Sequence, residues 1–402
     1  MYYCGIDIAK YKHESTVIDE STVIDESGNA LQNSISFENS KEGCEKLLAL
    51  FEKYGIISTD VVIGMEATGH YWLSVYGFLT EQGYDVNVIN PIQSEAFRKM
   101  YIRQTKNDRK DSFIIAQIMR FGQFSATRLS EEVIVAMRQL SRYRLALVDV
   151  CGDCKRRVIA LLDQVFPEYD KLFSDIFGAT SKELLLKYPT PDDLLSVPTG
   201  RLTKLLEKAS HGRFGREKAE QLKSAASTTF GVSFAKDAFA FQIRQLIEQL
   251  EFLEGQISEL EEQLSQMLKQ TGSYITTIPG IGDTLGAAIL SEIGDIERFD
   301  APNKLVAFAG LDVRVAQSGE FIGTRQKISK RGSPYLRRAI WLAATRAAFC
   351  DPVLSEYYQS LRARGKHHLV AVGAVSRKLC NIIYAILKED RPWQPTPPER
   401  TL

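Results

Sequence analysis

Short apolar runs alternate with amphipathic stretches over residues 1–120 of the chain. "MYYCGIDIA" predicts a buried strand. "ESTVIDESTVIDESG", alternating apolar and polar, predicts a half-buried one that stops at the turn signal Ser27-Gly28. "ALQNSISF" predicts a third strand. "SKEGCEKLLALFEKYG" repeats its apolar residues at helical spacing, with Ser40 placed to cap its start and Gly55 to end it. A strand "DVVIGMEAT", a helix "YWLSVYGFLTEQG" ended by Gly83, a strand "DVNVIN" and a helix from Asp108 follow. Three consecutive strands and then βαβ units predict an RNase H-like α/β sheet. The hexapeptide "STVIDE" occurs twice in tandem, at residues 15–20 and 21–26. An even insertion keeps every strand side chain on its face, so the repeat reads as a tolerated duplication without chemistry.

Residues 131–270 follow a helical pattern. Ile243, Leu246, Leu250, Leu253, Ile257, Leu260, Leu264 and Met267 alternate three and four apart, which predicts a coiled-coil seam. Its partner is either an earlier helix around Met137 to Val165, running antiparallel, or a second chain, which makes at least a dimer expected. "KYPTPDDLLSVPTG" and "HGRFG" punctuate a helical insert without a readable role. From residue 271 small residues, Gly and Arg take over. The expected architecture is α/β plus mainly α: an RNase H-like domain over 1–130, a helical coiled-coil middle over 131–270, and a small helical domain over 271–390. "RPWQPTPPERTL" is too rich in proline to fold and predicts a flexible tail over 391–402.

The composition is that of a globular protein, 44% apolar and 25% charged with a formal net charge of zero. That excludes a surface coated in positive charge but not a local basic face. Residues 301–346 hold nine Lys or Arg against Asp312 and Glu320 alone. "FRKMYIRQTKNDRK" and "CKRRV" are also basic, and each run is equally readable as a solvated helix face. The start lacks the pattern of a signal peptide, and no apolar stretch is expected to reach the ~18 residues of a membrane span. Of six scattered cysteines only Cys151 and Cys154 form a CxxC, in a helical pattern with no second pair. Packing is therefore the better reading than zinc. A reduced, cytoplasmic, nucleoid-associated protein fits.

"GIDIAK" puts Asp7 in the middle of an otherwise apolar strand, where a lone carboxylate is costly unless paired, protonated or metal-bound. "IGMEATGHYW" puts Glu66 at the end of another strand. "KNDRKDS" offers Asp108 and Asp111 on one face at a helix start. Two strand carboxylates and a helical pair suit a two-metal site for Mg²⁺ or Mn²⁺, whose hard ions take oxygen ligands. Each has a bland alternative: Asp108 as a helix cap, Glu66 as a pocket residue, and Asp7 as the first-strand acid of the sugar-kinase and actin fold. That fold cradles phosphate with small residues after the acid, and "IAKYKH" has none.

"YITTIPGIGDTLGAAILSEIG" carries Pro279, Gly280 and Gly282 in a turn that predicts a helix-hairpin-helix binding nucleic-acid phosphates through backbone N–H groups. The alternative is an ordinary turn packed on Ala287 and Ala288. Ser318 lies in "VRVAQSGEFIGTRQKISKRGSPYLRRA", which contains no histidine and no nucleophile-elbow motif. A hydrolase triad is thus not readable there. Around it stand Arg314, Arg325, Lys327, Lys330, Arg331, Arg337 and Arg338, donors suited to an attacked phosphodiester. A serine attacking phosphorus forms a phosphoserine ester, releases a 3′ hydroxyl and retains the bond energy for rejoining, with a metal-bound hydroxide or a carboxylate of the Asp7 cluster as the acceptor of its proton. Taken alone, a Ser-Gly pair is more often a turn.

"GIDIAK", "MEATGHYW", "INP", "KNDRKDS", "IPGIG", "FAGLDVR…QSG" and "ISKRGSPYLRRAIW" occur in the order of one family. In them the chain resembles the DEDD-type insertion-sequence transposases, insertion-sequence family one-ten in words, to which the Piv-type DNA invertases are related. The resemblance covers both ends of the chain. It implies a RuvC-like N-terminal domain whose tetrad is Asp7, Glu66, Asp108 and Asp111, and a C-terminal domain whose nucleophile is Ser318. It further implies a covalent 5′-phosphoserine, a four-way junction, and a structured bridge RNA that pairs with element and target DNA. It also implies a homo-oligomer, dimer or tetramer, in which different subunits supply acids and serine. Rival readings are a metal-dependent junction resolvase or nuclease using water, a non-catalytic nucleic-acid scaffold, and, more remotely, an actin-like kinase.

Overall fold

In a computed structural model, described for residues 1–19, 34–67, 69–89, 91–98, 108–122, 132–313, 317–318, 321–322 and 328–395, the N-terminal apolar runs are strands of one mixed sheet. β1 (Tyr2–Asp7) lies at its centre. β2 (Lys12–Asp19) pairs antiparallel with β1, and β3 (Ser34–Glu38) antiparallel with β2. On the other side β4 (Val61–Glu66) and then β5 (Asp85–Ile89) join in parallel, giving the order β3-β2-β1-β4-β5. The two parallel neighbours are covered on both faces, which is why they read as apolar runs rather than alternating ones. The first copy of the tandem hexapeptide falls in β2 as far as Asp19; the second lies outside the described residues.

Period-two alternation sorts this sheet. Cys4, Ile6, Ile63, Met65 and Val88 share a core with Leu47 and Phe51 of α1 (Lys41–Lys53) and Val75 and Leu79 of α2 (Trp72–Glu81). Ser40 caps α1 by accepting from the Gly43 N–H at 3.1 Å. Tyr3, Val62 and Ile89 pack instead on Ile114, Ile115, Ile118 and Met119 of α4 (Asp108–Phe121), which follows the short α3 (Pro91–Arg98). Gly5 and Gly64 are register partners on that second face. A Cβ on Gly5 would collide with the Ser112 carbonyl and the Ala116 amide of α4. Absence of a side chain therefore lets the helix lie directly on β1, and a bond of 2.7 Å between the Thr16 and Ser112 hydroxyls holds it there. Gly5→Ala is expected to cost about 1–3 kcal/mol, as forced overpacking does. An unchanged denaturation midpoint would contradict the close approach.

Met1–Leu129 forms one compact unit and Ser130–Leu402 another. In the second, α5 (Glu132–Val165) and α10 (Lys236–Gln270) run antiparallel. Val158 and Leu162 share a core with Ile243 and Ile247, Leu147 and Cys151 with Leu250 and Leu260, and Met137 with Leu264 and Leu268. The apolar seam of α10 is thus covered by α5 of the same chain and gives no argument for a second chain. Cys151 and Cys154 are buried, free thiols within it. At one end α6 (Ala179–Lys187), α7 (Pro191–Ser196), α8 (Thr199–Ala209) and α9 (Arg216–Ser227) close a core on Leu184, Leu194, Leu206 and Leu222. A Thr190–Asp193 capping box starts α7 within "KYPTPDDLLSV".

At the other end α11 (Asp283–Ile293), α12 (Pro302–Phe308), α13 (Pro334–Cys350), α14 (Pro352–Ala363) and α15 (His368–Glu389) pack around alanines Ala343, Ala344 and Ala347. They share that core with Met137 and Leu268, so residues 131–270 and 271–390 belong to one unit. Two expectations are corrected here. The tail does not come loose at 391: Trp393 packs half-buried on the core and donates its backbone N–H to Thr277 Oγ1 at 2.9 Å. Residues 396–402 lie outside the described set. And one helix, α15, is long and apolar enough to cross a membrane, with a mean hydropathy of 1.5. Its face of Val372, Val375, Leu379 and Ile383 is buried in the core of the second unit.

Candidate active site

Asp7 and Glu66 are the last residues of β1 and β4. Asp7 therefore sits at a strand end, not mid-strand, where the chain leaves the sheet and a carboxylate keeps part of its hydration. Alternation from Tyr3 and Gly5, and from Val62 and Gly64, puts both acids on the face that α4 covers. Asp108 and Asp111 occupy the first turn of α4, Asp108 exposed and Asp111 buried. The glycine-mediated approach of α4 to β1 is what brings that turn to the strand ends. Burial first, and then the charges of Asp111, Asp108 and Glu66, push the Asp7 carboxyl up to about 7, while Arg98 pulls it down. The other three predicted acids thus all act on Asp7.

Two residues that the sequence reading did not single out hold this cluster. Ser94 Oγ donates to Glu66 Oε2 at 2.8 Å, and Arg98 Nη2 donates to Asp111 Oδ1 at 2.8 Å. Both lie on α3; a polar pair four apart in "IQSEAFR" was the available signal. His70, the one histidine near Glu66 in sequence, is exposed and stacks on Tyr71 at 4.3 Å. The donor set fits a divalent cation by its chemistry: four carboxylates offering hard oxygens. Among the described residues, though, no three Asp, Glu, His or Cys side chains converge closely enough to hold an ion. Asp111 is engaged by Arg98 instead.

In the second unit, Ser318 belongs to a two-stranded ribbon, β6 (Gln317–Ser318) against β7 (Phe321–Ile322), with Ser318 opposite Phe321. A firm neck closes below it. Val313 bridges Ile328, the Ser329 N–H donates to the Asp312 carbonyl at 2.8 Å, and the Ser329 hydroxyl donates to the Asp312 carboxylate. Gly332, at φ 108, lies where a Cβ would strike the Phe308 carbonyl, so "KRGS" needs its glycine for this neck. The sequence reading also missed Glu292, a buried acid in the apolar "GAAILSEIG". It accepts from Arg142 at 2.6 and 3.1 Å and from Ser333 Oγ at 2.7 Å, and Ser333 caps α13. Glu292→Ala removes the buried acceptor of Arg142 and Ser333 and, with Arg142 partly exposed, is expected to cost about 1–3 kcal/mol in urea denaturation. A variant as stable as the unaltered chain would refute the anchoring role.

Arg314, Arg325 and Lys327 lie outside the described residues. Lys330 and Arg331 are exposed beside the neck. Arg337 donates to the Ala309 carbonyl at 3.3 Å, and Arg338 pairs with Asp149 of α5 at 2.8 and 2.9 Å, so both have structural partners. Pro279, Gly280 and Gly282 form the turn into α11, preceded by the short 3₁₀ segment Tyr274–Thr277. Gly280, at φ 94, approaches the backbone of α13 so closely that a Cβ would meet Ala347 N at 2.8 Å. Packing alone accounts for it. Gly282 stays exposed at the α11 N-terminus, where no side chain caps.

Two family models match the chain: DEDD_Tnp_IS110, a transposase model, over residues 4–167, and the "Transposase IS116/IS110/IS902 family" over residues 272–359. The chain belongs to the IS110-family transposases. Members of that family break and rejoin DNA, and this chain is an enzyme of that class. Its relatives include the pilin gene-inverting protein of Moraxella bovis, 23% identical over 97% of both chains. A mini-circle putative transposase for IS117 from Streptomyces coelicolor is 24% identical over 92% of this chain and 89% of its own. A 42 kDa protein of insertion element IS900 from Mycobacterium paratuberculosis is 26% identical over 73% of this chain and 74% of its own. As an IS110-family transposase, the chain has its two family-defining segments at the acid cluster and around the serine ribbon.

Proposed function

We propose that this transposase moves or inverts a DNA segment by serine attack on a phosphodiester, assisted by the carboxylates Asp7, Glu66, Asp108 and Asp111. The observation that carries the reading is that Asp7 and Glu66 end β1 and β4 on the sheet face covered by α4, whose first turn holds Asp108 and Asp111, near enough for the other three to act on Asp7. Two antiparallel pairs followed by parallel ones, with a helix across the centre, support an RNase H-like, RuvC-like domain. The four acids would hold Mg²⁺ or Mn²⁺, the metal type usual for DEDD transposases. Bound there, the metal supplies positive charge to the phosphate oxygens as the transition state gathers charge. The protein's own residues do the rest. A carboxylate of the Asp7 cluster, at the ends of β1 and β4 and in the first turn of α4, takes the proton from the attacking hydroxyl. Ser318 Oγ forms the bond to phosphorus, the 3′ oxygen leaves with a proton, and the 5′-phosphoserine keeps the ester energy for rejoining. Lys330 and Arg331 at the neck, with Arg314, Arg325 and Lys327, stabilise the pentacoordinate phosphate.

Within this reading the α5–α10 pair is an intramolecular coiled coil, and the turn at Pro279, Gly280 and Gly282 leads a helix-hairpin-helix whose Gly282 edge faces phosphates. Strand exchange passes through a Holliday junction. Resemblance to bridge-RNA-guided recombinases supports an RNA partner pairing with both DNAs, and a homo-oligomer in which one subunit's serine meets another's acids. The test is incubation with element-end and target DNA, Mg²⁺ and RNA transcribed from the flanking non-coding end. A protein–DNA adduct that survives SDS is expected. Free 5′ phosphates without an adduct would favour the alternative, a junction resolvase that uses water.

A further inference from the structure

We infer that α3 is a clamp for the acid cluster, in which Ser94 and Arg98 are positioning residues that set the spacing of Glu66 and Asp111. The inference deepens the metal-site reading above and rests on it. Ser94 and Arg98 are one helical turn apart, hence on one face of α3. Ser94 grips Glu66 at 2.8 Å and shares its hydroxyl with the Pro91 carbonyl at 2.9 Å, while Arg98 grips Asp111 at 2.8 Å. The two acids come from different elements, a strand and a helix, so a single rigid turn fixes a distance that neither element fixes alone.

Neither contact is a surface pairing of the kind that contributes little. Ser94 is 2% exposed and Asp111 7%, and the Arg98 side chain retains only 22% of its exposure. The Nε of Arg98 is buried with no hydrogen-bond partner among the described residues. An orphaned donor is a cost that Leu or Met at the position would not carry, and the Nη2 bond to Asp111 is what stands against that cost. Partners that orient metal-binding carboxylates change metal affinity by roughly 10–100-fold.

Mn²⁺ binding to the full chain, followed by electron paramagnetic resonance of the free ion, reads this without any turnover. Arg98→Ala is expected to weaken Mn²⁺ binding about tenfold and Ser94→Ala by a smaller factor, with Arg98→Lys in between. An Arg98→Ala protein that binds Mn²⁺ equally well overturns the inference. So does one that binds more tightly, as it would if Arg98 merely competed for Asp111. Should Arg98→Ala not fold by circular dichroism, unchanged affinity in both Ser94→Ala and Arg98→Lys overturns it. An unaltered chain that takes up no Mn²⁺ overturns the metal-site reading itself, and this inference with it.

Discussion

Ser318→Ala is expected to eliminate the covalent protein–DNA adduct while leaving RNA binding and the melting temperature unchanged. Removing one hydroxyl takes away the only oxygen proposed to bond to phosphorus. The backbone pairing of Gln317 with Ile322 and of residue 318 with Phe321 needs no serine side chain. The neck below, closed by Asp312 with Ser329 and by Gly332, is untouched. Loss of the adduct with retained fold therefore separates a nucleophile from a turn residue. Nicking that continues at the unaltered rate in this variant, with free 5′ phosphates, would assign the chemistry to water and leave Ser318 as a turn.

Asp7→Asn should have opposite effects on activity and on stability. Strand cleavage is expected to fall by about 10² or more, the scale on which one charge-stabilising group acts in phosphoryl and acyl transfer. Full activity in EDTA would count against the acid cluster. Stability in EDTA should move the other way. The folded-state pKa of Asp7 is raised from 3.8 to about 7, chiefly by burial. Its contribution to folding is thus fully present below the unfolded value and is lost as pH rises through about 7. Ionised Asp7 destabilises the fold at pH 8, and Asn removes that penalty. The variant should melt higher than the unaltered chain at pH 8, by a few degrees, with the gap closing toward pH 4. A lower melting temperature at pH 8 would mean that ionised Asp7 carries no such penalty in the folded protein.

The elements were legible where a local rule decides them. The apolar runs of β1, β4 and β5 and the Ser40 and Gly55 ends of α1 stand where periodicity and capping place them. Gly5 and Gly64 were visible as letters, but their use is not a local matter: each makes room for α4, which arrives more than forty residues later. Arg98, Ser94 and Glu292 went unremarked for the same reason. A polar residue in an amphipathic helix looks like a solvated one until its partner is known, and Asp111, Glu66 and Arg142 lie on other elements. Conversely Arg337 and Arg338 looked available for phosphate, yet a carbonyl and Asp149 hold them.

What the chain determines by itself is which residues carry charge and chemistry, and at what period. "GIDIA" and "IGME" put their carboxylates in strands and "DRKD" at a helix start, while only the sheet pairing ends β1 at Asp7. Packing decides which of those charges meet. The side-chain-free surface of Gly5 and Gly64 seats α4 on the sheet, α3 aligns two of the acids, and α5 covers the α10 seam. Contacts between residues far apart in the chain depend on shape complementarity, which no window of sequence contains.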